Sequence, residues 1–222
     1  MDILPEFNQT IIETDLFRNM RTDDLKSLLT CLSASVVHFK KEAIILQQGQ
    51  TIDRFGVVLA GQVQIYENDY YGNKNILSNV SAGDIFAESF AFSENSVLPV
   101  SVSATMSCTV LFINSERLVT SCSRACTFHT QLIQNMMRIM AEKNSILTQK
   151  IRFITKRTLR EKLLAYLSSQ ALKAQSNRFV IPFDRQELAD FLAVDRSAVS
   201  AVLSKLRDEG ILKFRKNMFE LL

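Results

Sequence analysis

Between Asp184 and Gly210 the chain spells two short helices with a tight turn between them. Asp184 suits an N-cap, where a side-chain oxygen accepts from an orphan backbone amide, and Glu187 three residues on completes a capping box. Leu188, Ala189 and Leu192 give the first helix an apolar face. A turn follows at Ala193–Val194. Asp195 suits the cap of a second helix over Arg196–Glu209, which Gly210 ends as its C′ residue. Val199, Val202, Leu203 and Leu206 face inward in that helix, and Arg196, Ser197, Ser200, Ala201, Ser204 and Lys205 make the opposite side. Small side chains let a helix sit deep in a DNA major groove, and an arginine can bond two guanine edge atoms at once. ILKFR–KN–MFELL then reads as a hairpin with Arg215 and Lys216 at its tip, suited to a DNA backbone. A packed three-helix segment without a ligand is the alternative. The caps, the small polar outer face and the basic hairpin together argue against it.

The charge distribution points the same way. Residues 1–149 carry 11 Lys/Arg against 15 Asp/Glu, and residues 150–222 carry 15 against 8, so a net charge of +3 divides into −4 and +7. A basic rear suits a polyanionic partner, although many basic faces are merely solvated. Ahead of this region a helix reads TLREKLLAYLSSQAL, with Leu159, Leu163, Leu164 and Leu167 on one side; KAQSN breaks it, and FVIPF at 179–183 reads as a strand.

The front of the chain has a different period. A helix is predicted near Thr22–Leu32, with Thr22 as cap, Asp23 and Asp24 in the first turn, and Leu25, Leu28, Leu29 and Leu32 at helical spacing. Short β-prone runs follow at 36–39, 43–46, 55–66, 75–80, 100–104 and 108–113, with turn signals at Gly49, Gly61, Tyr71-Gly72-Asn73 and Ala82-Gly83-Asp84. Many short strands with glycine punctuation indicate a sandwich or barrel. A long helix is predicted over Phe128–Ile154. Ile133, Met137, Met140, Asn144, Leu147, Ile151 and Ile154 fall at alternating steps of four and three, and all but Asn144 are apolar. That narrow seam suits a parallel dimer, with Asn144 able to set its register. A helix packed on its own domain is the other reading.

From the residues of RQELADFLAVDRSAVS, of GQVQIYENDYYGNKNILSNVSAGDIFAES and of the long helix, the chain resembles the Crp/Fnr family of transcription regulators over nearly its whole length. The resemblance implies an α+β chain of three parts: an effector-sensing jelly roll at 1–127, a dimerisation helix at 128–154 and a DNA-binding winged helix-turn-helix at 155–222. It also implies a homodimer on a palindromic operator in double-stranded DNA and a contact with RNA polymerase. Carried over by position, Arg185, with Gln186 beside it, would meet a phosphate. Arg196 would read a base or hold a phosphate, and Ser197, Ser200 and Ala201 would lie on the recognition face. The best-known members place a glutamate at Ser197 and often an arginine at Ala201, so their operator does not carry over to this chain.

The sensor pocket departs further. Cyclic-AMP-binding members use a glutamate for the ribose and an arginine-serine pair for the cyclic phosphate. Glu88, followed by Ser89, matches the first, but the pair falls on Leu98 and Pro99. A buried phosphate without its arginine is costly. Cyclic AMP is therefore not expected in the usual manner, and the effector and any cofactor stay unidentified. Asn144 and Ser145 match the long-helix positions that reach the ligand in those members. Cluster-binding members need several closely spaced N-terminal cysteines, and none precedes Cys31 here. Cys122, Cys126 and His129 offer three soft ligands where the long helix begins, at a spacing that is no standard zinc pattern. Two ordinary thiols and a surface histidine are the plainer reading, and Cys31 and Cys108 read as core or strand thiols.

Two other classes of function compete with this reading. An enzyme on a cupin-like jelly roll needs a histidine-rich metal site, and the chain holds only His38 and His129. A ligand-independent DNA-binding protein, or a thiol- or metal-based redox sensor, remains open. With 47% hydrophobic and 22% charged residues the chain can bury a real core. No apolar run approaches a membrane span, and MDILPEFNQT lacks the pattern of a signal peptide, so a cytoplasmic location is expected.

Overall fold

The computed structural model describes residues 7–69, 74–94, 97–120 and 127–222. The Tyr71-Gly72-Asn73 turn and both Cys122 and Cys126 lie outside them. The chain divides into two compact units, residues 1–140 and 141–222.

The first unit runs α1 (Asn8–Glu13), a single 3-10 turn, α2 (Thr22–Cys31), β1 (Ser35–Phe39), β2 (Ile44–Leu46), β3 (Arg54–Ala60), β4 (Gln62–Asn68), β5 (Lys74–Ser81), β6 (Ile85–Phe86), α3 (Glu88–Ala91), β7 (Ser101–Ala104), β8 (Cys108–Asn114) and α4 (Ser115–Val119). Two antiparallel four-stranded sheets result, ordered β1-β8-β3-β6 and β2-β7-β4-β5. Alternation along β8 explains how the layers form, because successive side chains leave a strand on opposite faces. Cys108, Val110 and Phe112 join Leu46, Val63, Val102 and Leu98 in the core shared by the two sheets. Leu111 and Ile113 point the other way and pack with Leu25, Leu28, Leu29, Leu132 and Met136 from the helices. The β3 strand does the same, with Val58 on one face and Phe55, Val57 and Leu59 on the other, so its apolar run is continuous.

The apolar run at 55–66 is two strands, β3 and β4, turned at Gly61. Gly61 has φ 80°, and a Cβ there would stand 2.4 Å from the Ser107 carbonyl oxygen, so the turn requires glycine. The α2 helix starts one residue earlier than expected: Arg21 occupies the N-cap without a side-chain cap bond, and Thr22 is already helical. Its C-terminal region leads to Leu32, which is fully buried.

The long helix α5 (Thr127–Ile154) begins in the first unit and ends in the second. Within the first unit, Asn135 Nδ2 donates to the carbonyls of Leu16 at 3.0 Å and Arg18 at 2.9 Å. Leu132 and Met136 are buried beside it, whereas Met137 is 67% exposed.

In the second unit follow α6 (Leu159–Ala174), β9 (Arg178–Val180), α7 (Arg185–Leu192), α8 (Arg196–Asp208), β10 (Leu212–Arg215) and β11 (Met218–Leu221), with a sheet ordered β10-β11-β9. Thr158 caps α6: its Oγ1 accepts from Glu161 N at 3.2 Å while Glu161 Oε2 accepts from Thr158 N at 3.3 Å. The core gathers Leu163, Leu167, Leu188, Leu192, Val199, Leu203 and Leu206. Phe153, at the end of α5, stacks edge-on to Tyr166 at 5.7 Å and so anchors the helix in this core. The strand expected over 179–183 is shorter, since Ile181 N donates to Asn217 O outside the ladder and Pro182 has no amide to offer.

Candidate functional site

Local sequence sets the geometry of the two-helix element. Asp184 Oδ1 accepts from Glu187 N at 2.9 Å, and Glu187 Oε2 accepts from Asp184 N at 2.7 Å, closing the capping box that starts α7. Ala193 takes the left-handed conformation, φ 52°, and lets Val194 N reach back to the Ala189 carbonyl. The α8 helix then departs from Asp195, which occupies the N-cap but makes no side-chain cap bond, contrary to expectation. Glu209 is its C-cap rather than its last residue, and Gly210 follows with φ 72°.

Val199, Leu203 and Leu206 hold α8 against the core with no exposed surface. Arg196, Ser197, Ser200, Ala201 and Lys205 are exposed on its outer side. Ser200 Oγ donates back to the Arg196 carbonyl at 3.1 Å, which leaves its outer profile small. The β10–β11 hairpin turns through Lys216 and Asn217, with Arg215 opposite Met218. Both Arg215 and Lys216 are exposed. An open cleft of about 690 Å³ is lined by Arg185, Gln186, Arg196 and Lys216, together with the capping pair Asp184 and Glu187. Four expected DNA-face residues are thus gathered from α7, α8 and the hairpin. Gln186 Nε2 also donates to Asp190 Oδ1 at 2.9 Å.

Arg185 sits differently from the other cations. It is half-buried, with its guanidinium 4.9 Å from the Phe214 ring centroid and 5.3 Å from that of Phe219. Burial lowers its pKa from the ordinary value, although an arginine remains cationic. The sequence reading missed Phe214 and Phe219; their alternation with Lys213 and Glu220 was the available signal.

The sensor positions divide between the units. Glu88 opens α3 and is 4% exposed, after Ala87 in the left-handed region at φ 64°. Ser89 is exposed, and its Oγ donates to Glu88 Oε1 at 3.5 Å. Leu98 is 1% exposed in the core between the sheets, held by Gln50 O and Gly49 N through its own backbone. Pro99 is exposed. Asn144 and Ser145 are exposed residues of α5 that belong to the second unit.

His129 is not a surface histidine: it is 5% exposed, and its Nε2 donates to the Arg117 carbonyl at 3.1 Å. A long helix packed onto the jelly roll buries that part of its face, which the sequence spacing did not reveal. Cys31 is partly buried and Cys108 buried, and burial raises the Cys108 thiol pKa. Among the described residues no group of three or more His, Cys, Asp or Glu side chains could hold a metal ion, and no helix is long and apolar enough to cross a membrane.

Comparison with known proteins agrees with this layout. Residues 36–124 match the cyclic nucleotide-binding domain family, and residues 161–222 match the Crp-like helix-turn-helix domain family. The transcriptional activator protein FnrA of Stutzerimonas stutzeri is 23% identical over 179 residues, covering 78% of this chain and 71% of FnrA. Among solved structures, DNR from Pseudomonas aeruginosa has a TM-score of 0.51 at 22% identity, covering 100% of this chain and 96% of DNR. The c-di-GMP responsive global regulator CLP of Xanthomonas campestris has a TM-score of 0.54 at 18% identity, covering 90% of this chain and 99% of CLP. These two likenesses concern the fold. With both domain families matched in order, and with a two-helix element whose outer face is small, polar and basic, the chain is a DNA-binding transcription regulator of the Crp/Fnr family, not an enzyme.

Proposed function

We propose that the protein works in the cytoplasm as a homodimer on a palindromic DNA site, contacts RNA polymerase there, and answers to an effector other than cyclic AMP bound in the family's usual manner. In this reading residues 1–127 sense, 128–154 dimerise and 155–222 bind DNA. Arg196, Ser197, Ser200, Ala201 and Lys205 meet the major groove, while Arg215 and Lys216 follow the backbone. Glu88, Ser89, Leu98 and Pro99 mark the effector pocket. An effector would change DNA affinity by its differential affinity for two arrangements of the chain.

One observation carries the sensor part. The side chain at the position matched to the phosphate-binding arginine is Leu98, and it lies in the apolar core between the sheets. It supplies no charge or donor, and a cyclic phosphate placed there would lose its water without a partner. Calorimetric titration of the purified protein with cyclic AMP tests this. No heat of binding is expected at micromolar ligand; saturable micromolar binding would overturn the reading.

A further inference from the structure

The hairpin turn that carries Lys216 is held from several directions. Lys216 lies in the left-handed region at φ 56°, a conformation uncommon for a residue with a Cβ but one that a tight two-residue hairpin turn calls for. Its carbonyl accepts from Arg185 Nη2 at 3.1 Å. Its neighbour Asn217 is tied to Ile181 twice: Ile181 N donates to Asn217 O at 2.9 Å, and Asn217 Nδ2 donates to Ile181 O at 3.2 Å. The rings under Arg185, Phe214 and Phe219, belong to the two strands that the turn joins. Arg207 of α8 also lies over Phe214, at 5.9 Å, so the hairpin receives one arginine from each helix of the pair.

We infer that Arg185 is a positioning residue: it pins the hairpin turn to the start of α7, so that Arg215 and Lys216 are already placed when DNA arrives. This rests on the reading that the hairpin and α8 bind DNA. A two-residue turn with one long cation on it and another at its base would otherwise lose conformational freedom on binding, and fixing it beforehand removes that cost. The side chain suits the task because a planar guanidinium can lie on ring faces and still direct one N–H at a carbonyl, which an ammonium does poorly. Arg185 therefore acts on DNA chiefly through Arg215 and Lys216, rather than as an independent phosphate contact.

The test uses the full-length protein and a short fluorescent duplex of mixed sequence at low salt, where phosphate contacts dominate. Arg185→Gln is expected to weaken binding roughly tenfold in the native background, but less than about twofold in a protein already carrying Arg215→Ala and Lys216→Ala, as residues acting as one unit do. Arg185→Lys keeps the charge and is expected to fall with Arg185→Gln. In the free protein, amide exchange across the hairpin turn is expected to quicken in both variants. Equal losses in the two backgrounds, a lysine variant that binds like the native protein, or unchanged exchange would each overturn the proposal. A native protein that does not bind the duplex, or an Arg215→Ala/Lys216→Ala protein that binds as well as the native one, would overturn the DNA reading of the hairpin itself.

Discussion

Individual side chains on α8 and the hairpin differ in what they can tell DNA apart by. Arg196 is exposed at the start of α8, where it can reach a guanine edge with two donors. Arg196→Ala is expected to weaken specific binding by about 1–3 kcal/mol and to relax preference at one base position. Arg215 is exposed on the hairpin; on the proposed backbone role, Arg215→Ala is expected to weaken binding evenly across sequences and to reduce the salt slope by about 1. Anisotropy titrations over several salt concentrations separate the two, and exchanged outcomes would mean the roles are reversed. Much of this face was legible because helical spacing and cap chemistry are local: Asp184 and Glu187 form their box as their types and spacing demand. Arg185 was legible only as a surface cation, since the Phe214 and Phe219 rings beneath it lie far along the chain and meet it only after folding. His129 was misread for the same reason, because its Arg117 partner lies across the gap between two helices.

Elements show the same division between local and distant causes. The two domains of short strands and of capped helices could be read from period and punctuation. The two-residue strand β6 could not, because it owes its place to tertiary packing: a Cβ on Gly56 would stand 2.2 Å from the Phe86 ring. Asp195 and Thr22 show a different limit. Their types favour capping, but Thr22 already lies inside its helix and Asp195 makes no side-chain cap bond, since helices are also started by the packing of their apolar face. Thr158 does provide one, and Thr158→Ala is expected to lower the stability of the second unit by about 1 kcal/mol, measured by urea unfolding followed through its aromatic residues. The α5 seam supplies a sharper test. Leu147 is 58% and Ile151 55% exposed in the single chain, and each needs a partner surface to leave water. Replacing both with glutamate is expected to weaken dimerisation about 100-fold or more, read by sedimentation. An unchanged dimer would place the interface elsewhere.

At the scale of the whole molecule, the chain runs in order through a cyclic nucleotide-binding-type β domain, a long helix and a Crp-like helix-turn-helix domain. Sequence patterning made this order readable because each part has its own hydrophobic period. The effector was not readable, since a pocket is a matter of what several distant segments leave empty, and Leu98 fills one such place with core. In the proposed function a symmetric dimer reads DNA through α8. Selection of bound duplexes from a random library by the full-length protein tests it most directly. The expected product is an inverted repeat whose half-sites are about one helical turn apart, with enrichment lost in Arg196→Ala. Enrichment of no sequence, or of a single unrepeated site that survives Arg196→Ala, would contradict it.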